Sequence, residues 1–387
     1  MSQNPMSQNK NTTTLLWGAV ALGALGVAGT YAAAGPERFW TNWVMWFVLL
    51  FTLGLGALFI VALEHLVNAK WSVPVRRIPE RLATLLIPAI PVGLIALAAI
   101  PVIYPGARPE AAHHPILAGK AFWLSLPFFS VRTLIAFALC LIGLAVLVGG
   151  SMKQDATKDP AFNIRARKFA PAFMAIFAVV VTLIAFDWIS GLTPEWYSDI
   201  FGVYIFAGAF LSGLAATTLS ILYLQDQGRL EGVRGDHLYN LGGFLFAFTV
   251  FWSYIGFAQY MLMWYANFPD EVIYYKIRLA GSWRAITITL AALHFVLPFF
   301  ALVTRDSKKD PRRLRRVAYL MLGAHVLDIY WLIFPTLGAT PRFSWPELSF
   351  ALFFISGIVL WIRGAMQKGE DMPVGDPFLR EGLEFRL

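Results

Sequence analysis

The chain has 387 residues, of which 58% are hydrophobic and 14% charged, with a mean hydropathy of +0.62. Soluble domains carry about 25% charged residues. This balance excludes a separate globular catalytic domain, because the apolar runs leave only loops and tails. The formal charge of +8 raises nucleic acid as a partner, but basic cytoplasmic loops of a multi-pass protein give the same excess.

Ten apolar runs are long enough to cross a hydrocarbon core of ~30 Å. They cover residues 13–34, 40–63, 82–103, 131–150, 170–190, 199–224, 238–264, 283–303, 315–336 and 346–363. All are expected to be helices, since an open strand would leave unpaired amides in lipid. Lys10, an apolar stretch and Ala32-Ala33-Ala34 imitate a signal peptide, but residues 13–34 are read as a retained first helix. Residues 116–128, bounded by Pro115 and Pro127, are too short to span and are expected to lie at the interface.

Alternating the spans puts 23 basic residues on one side and six on the other, the six being Arg38, Arg108, Lys120, Lys276, Arg278 and Arg342. Arg132 and Arg284 stand at the outer ends of the fourth and eighth spans. This asymmetry assigns both termini to the cytoplasm and accounts for the positive charge without nucleic acid.

Landmarks recur along the chain. Pro36-Glu37 matches Pro194-Glu195 at an offset of 158, Arg132 matches Arg284 at 152, and Asp159-Pro160 matches Asp310-Pro311 at 151. The expected organisation is all-α: a tail and first helix (1–34), a four-helix bundle (35–190), a second four-helix bundle (191–336), and a last helix with a cytoplasmic tail (337–387). An even number of helices per unit makes this a parallel repeat. Chance similarity of loop punctuation is the competing reading.

The single cysteine, Cys140, lies within a span and reads as a small apolar side chain. Iron–sulfur clusters need about four thiolates, so none is expected in this chain. No CxxCH for covalent haem and no phosphate-binding G-x-x-x-x-G-K-[ST] occurs. No catalytic residue and no metal site is assigned.

Charges at membrane depth face the bundle interior and mark pathways. The candidates for a proton path are Asp187, His294, His325, Asp328, Glu64 and His65. His294 and His325 fall near the midplane. Asp328 follows His325 by three residues and shares its helix face. Tyr330, Tyr254 and Gln259 would extend the column outward if their faces permit. Histidine suits proton transfer because it titrates near neutrality. Two other readings stay open: a hydrogen-bonded pair that locks two helices, and a haem b held by the two histidines.

Glu64 and His65 end the second span, either as a proton entry or as interfacial groups in water, and Asp226 carries the same ambiguity. Arg132 and Arg284 either pair with Asp187 or Asp199 or anchor helix ends. Trp40, Trp43, Trp196, Tyr197, Trp264 and Trp283 fit an interfacial aromatic belt, with a quinone cavity as the alternative.

Three stretches carry a resemblance: FDWISGLTPEWYSDIFGVYIFAGAF (186–210), FTVFWSYIGFAQYMLMWYANFPDE (248–271) and HVLDIYWLIFP (325–335). Over essentially the whole chain the sequence resembles the ActF family, NrfD-like membrane subunits of bacterial alternative complex III. The resemblance implies ten helices in two four-helix bundles, in the bacterial inner membrane. It implies a subunit of a quinol:electron-acceptor oxidoreductase that is a scaffold and proton-conducting path rather than a catalyst by itself. Expected partners are the sister subunit ActC, an iron–sulfur subunit, multihaem and monohaem cytochrome c subunits, small membrane subunits and lipids. Haem c and iron–sulfur clusters belong to those partners, and no residue set here defines a quinone pocket. By motif, His325 and Asp328 belong to HVLDIYW and Asp187 to FDWIS, whereas His294 rests on depth alone. The alternatives are a quinone-binding anchor of a molybdopterin/iron–sulfur reductase and a secondary transporter. Against the transporter, Pro88 and Pro91 interrupt the third span while the seventh has no proline.

Overall fold

The computed structural model describes residues 5–387, with side chains from residue 11 onward except at 112 and 270. Lys10, the basic residue counted in the N-terminal tail, lies outside the described side chains. Among the described residues all regular structure is helical.

Among the described residues, ten helices are long and apolar enough to cross a membrane: α1 Asn11–Ala34, α2 Pro36–Leu66, α3 Arg77–Ile103, α4 Leu126–Thr157, α5 Ala161–Leu192, α6 Phe201–Asp226, α7 Gly235–Ala266, α8 Gly281–Leu302, α9 Pro311–Leu337 and α10 Trp345–Met366. Each expected run falls within or close to one of them. Proline opens α2, α9 and α10 in the first turn, where its missing N–H costs nothing. Ser344 caps α10 in a reciprocal capping box with Glu347.

The interior belongs to α2 and α6, whose apolar windows are 94% and 83% buried. They pack directly on one another. The contact uses small residues: a Cβ on Gly56 would overlap the Ala209 carbonyl oxygen, and one on Gly213 would lie 2.8 Å from the Gly56 carbonyl carbon. Ala209 and Gly213 are four residues apart and share a face, the small-xxx-small spacing of close membrane helix pairs. Around α2, helices α3 and α5 pack, and α4 touches both. Around α6, helices α7 and α9 pack, and α8 touches both. Helices α1 and α10 pair with each other and are only 17% buried over their apolar windows.

Two short helices lie between spans on the same side. Pro115–Leu124 precedes α4, where an interfacial segment is expected, and Pro269–Arg278 precedes α8. The second lies outside the ten apolar runs and carries Lys276 and Arg278, two of the six basic residues of that side. Helices α4 and α8 each contain one π turn, beginning at Leu144 and Ala292, 148 residues apart. In α8 the cause is legible. Pro298 has no N–H for the His294 carbonyl four residues earlier, so the regular bond cannot form.

The basic side is closed by the C-terminal tail, and its arginines are not simply solvated. Arg76 donates to Glu64 at 3.1 Å and to Asp376 at 2.8 Å, and Asn163 donates to Asp376 at 3.0 Å. Arg77 bonds Glu80 and Asp155. Arg81 and Arg229 converge on Asp371, Lys70 pairs with Glu381, and the His237 ring meets the Gly382 carbonyl. Partial burial pushes the Asp371 carboxyl up, but hydrogen bonds and charge from Arg229 and Arg81 outweigh it, so its pKa lies below the usual value. A depressed acid stabilises the fold above its unfolded pKa, about 3.9, and that contribution is lost as pH falls through the lower folded value. Acidification below about pH 4 is therefore expected to release the tail. Hydrogen exchange of residues 367–387 should rise there, and Asp371→Asn should raise it already at neutral pH. Exchange that stays flat in both cases would contradict this role.

Candidate functional site: a buried histidine–aspartate cluster

His294 on α8 and His325 and Asp328 on α9 meet in the interior, with 0%, 3% and 2% exposure. Each offers a ligand atom within 4.8 Å of the others. The three-residue spacing in α9 sets the latter two on one face, and the π turn at 292–296 carries His294 to them. π turns recur at functional sites because the inserted residue re-aims a side chain.

Asp328 is fixed by two donors. Tyr204 Oη donates to its Oδ1 at 2.6 Å and Trp252 Nε1 to its Oδ2 at 3.2 Å. His325 Nε2 lies 3.2 Å from Thr52 Oγ1 on the central helix α2. A Cβ at Gly208 would lie 3.3 Å from His325 Cε1 and 3.6 Å from Asp328 Oδ2, so α6 approaches closely there. Trp252 also packs on the His294 ring, with centroids 3.9 Å apart. Both ring nitrogens of His294, and Nδ1 of His325, have no hydrogen-bond partner within the chain. A buried polar atom left this way costs about 1–3 kcal/mol, so these nitrogens are suited to partners that come and go. Chemically the set can accept, hold and pass a proton. Two imidazoles and a carboxylate are equally a set of divalent-metal ligand atoms.

A cavity of about 390 Å³ lies beside the cluster, lined by Tyr204, Trp252, Gln259, Tyr274, Tyr275 and Trp331 among others. Tyr274 and Tyr275 come from the short helix Pro269–Arg278. That helix is held by Arg278, which was counted with the outer loop cations but is 1% exposed. Its guanidinium donates to the carbonyls of Trp331 and Leu332 at 3.2 and 2.9 Å and lies 3.4 Å from the Tyr274 ring centroid.

The remaining candidates do not join this column. Asp187 sits on a π turn of α5, where Arg132 grips both its oxygens at 2.8 and 3.0 Å and Trp123 donates to it at 3.0 Å. Arg284 donates to the Leu279 carbonyl, so only Arg132 makes the expected ion pair. Glu64 is twelve residues beyond Thr52 on α2, about 18 Å along the helix. It is buried and bound to Arg76 rather than set in water, and His65 beside it is buried too. Asp226 forms a surface pair with Arg315 at 2.6 Å. Tyr254 is 65% exposed and turned away from the cluster, while the Tyr330 hydroxyl is spent on the Arg342 carbonyl. Gln259 is buried against the cavity as expected. The residues missed from sequence are Thr52, Tyr204 and Trp252, on three other helices, none carrying a polar signature at membrane depth beyond its own hydroxyl or indole.

No protein-family model matches the chain, and no curated protein matches it.

Proposed function

We propose that this multi-pass protein is a proton-conducting and scaffolding subunit of a membrane quinol:electron-acceptor oxidoreductase of the alternative complex III type. It sits in the bacterial inner membrane with both termini in the cytoplasm. The observation that carries the reading is the cluster itself. Three titratable side chains converge in an apolar interior and keep three ring nitrogens without a partner in the chain. A lock between helices would spend those nitrogens on hydrogen bonds. Asp328 is the central carrier, His325 and His294 relay to and from it, and the aromatic cavity beyond Tyr204 is its outer access. Asp187 is assigned to the ion pair with Arg132, and Glu64 to the anchoring of the tail.

The scaffold consists of two four-helix units, residues 35–190 and 191–336. The matching contact rings around α2 and α6, the π turns of α4 and α8, and the short helix before each of those spans support it. Electron carriers reside in partner subunits, among them an iron–sulfur subunit, cytochromes c and the sister NrfD-like chain. Purification of the tagged chain from native membranes in mild detergent is expected to bring down multihaem cytochrome c, an iron–sulfur protein and a second ten-helix subunit, read by mass spectrometry. A chain that purifies alone would overturn the redox assignment.

A further inference from the structure

A second cavity shares no lining residue with the one beside the histidine–aspartate cluster. It holds about 730 Å³ between the outlying pair α1/α10 and the face made by α2, α3 and α4. Its walls are apolar, with Trp17 from α1, Leu50 from α2, Leu85 and Val92 from α3, Val148 from α4 and Phe354 from α10. Its polar end is formed by Arg81, Thr84, Arg363, Gln367 and Lys368, all at the basic side of the molecule. Trp361 Nε1 donates to Thr84 Oγ1 at 3.0 Å across this end.

The dimensions match one leaflet. From Arg81 to Val92 is eleven residues, about 16 Å of helix, against about 15 Å for half a hydrocarbon core. The charge is equally specific. Three cations border the polar end. The lining carboxylate, Glu80, is bonded by Arg77, and Arg81 shares Asp371 with Arg229, so two arginines face that one acid and the end keeps a positive excess. Arg81 Nε is buried and has no acceptor within the chain. Helices α1 and α10 gain little burial elsewhere, so whatever fills this space supports their seating.

We infer that this groove holds one anionic phospholipid of the cytoplasmic leaflet, with an acyl chain along α3 and α10 and its phosphate at Arg81, Arg363 and Lys368. The lipid acts as a wedge that fixes the α1/α10 pair to the rest of the protein. Basic pockets between spanning helices on this side bind anionic headgroups, each cation contributing roughly 5-fold in affinity.

Native mass spectrometry of the full-length protein, delipidated and titrated with dioleoylphosphatidylglycerol or dioleoylphosphatidylcholine, tests this. One phosphatidylglycerol per chain should bind at least about 10-fold more tightly than phosphatidylcholine. Arg363→Gln with Lys368→Gln should weaken phosphatidylglycerol on the order of 25-fold and leave phosphatidylcholine unchanged. Gly357 lines the groove and a Cβ there meets nothing within 4 Å. Gly357→Leu should therefore fill the groove and remove the bound lipid while the delipidated protein melts as before. Equal affinity for the two lipids, or unchanged phosphatidylglycerol binding in either variant, would overturn the inference.

Discussion

Gly56→Ala is expected to lower the yield and melting temperature of the protein severely, and Gly56→Leu to prevent recovery of a monodisperse species. The added Cβ meets the Ala209 backbone carbonyl, which no rotamer change can move. Relief requires α2 and α6 to separate, and these are the two most buried helices. Overpacking costs about 1–3 kcal/mol even where side chains can yield, a large share of a total stability of ~5–15 kcal/mol. Gly213→Ala, whose Cβ would sit 2.8 Å from the Gly56 carbonyl carbon, should be nearly as damaging. Gly243→Ala and Gly323→Ala, with nothing within 4 Å of the new atom, should be neutral. Size-exclusion profiles and melting curves of the four alanine variants check the contrast, which fails if all four behave alike.

The second large effect concerns Arg132 and Asp187. Both are buried, at 6% and 2% exposure, and the pair is bidentate. Removing one member strands the other charge, at a cost of about 3–5 kcal/mol. Asp187→Ala and Arg132→Met are therefore each expected to destabilise strongly. Arg132 also lies over the rings of Trp123 and Phe128, 4.0 and 4.5 Å from their centroids, so its loss removes packing as well. The double variant Arg132→Met with Asp187→Leu should recover most of the stability, because a buried pair exchanged for apolar side chains is often neutral. It should also retain proton translocation, since neither oxygen of Asp187 is left to receive a proton from elsewhere. A double variant no more stable than the singles would contradict the pairing, and a stable but non-translocating one would restore Asp187 to the path.

How far the sequence carried depends on the kind of signal. Spans were legible because hydropathy is a property of contiguous residues, and all ten fall where the apolar runs lie. The convergence of His294, His325 and Asp328 was legible because intramembrane charge is rare and depth can be counted along a helix. What completes that cluster was not. Thr52, Tyr204 and Trp252 come from α2, α6 and α7, and a threonine, tyrosine or tryptophan in an apolar run announces only a helix. The helix Pro269–Arg278 leaves no apolar run in the sequence because its charges interrupt it, and Arg278 is buried because the segment folds back onto the end of α9. The tail was equally opaque. Asp371 and Asp376 find Arg81 and Arg76 across 290 and 300 residues of sequence, and no local pattern marks such pairs. For Tyr254 the face decided: its side chain is 65% exposed, so it does not extend the buried column.

The direct test of the proposed proton path is Asp328→Asn in the proposed oxidoreductase complex, purified and reconstituted into vesicles, with proton translocation measured against electron transfer. Asparagine keeps the shape: its carbonyl oxygen can accept from Trp252 while its amide NH2 donates to the Tyr204 hydroxyl, which can reverse its role, so assembly and electron transfer should persist. Carrying no proton, it should abolish translocation or reduce it at least tenfold. Translocation at the parental ratio of protons to electrons would contradict the account and leave the cluster as a lock between α6, α8 and α9.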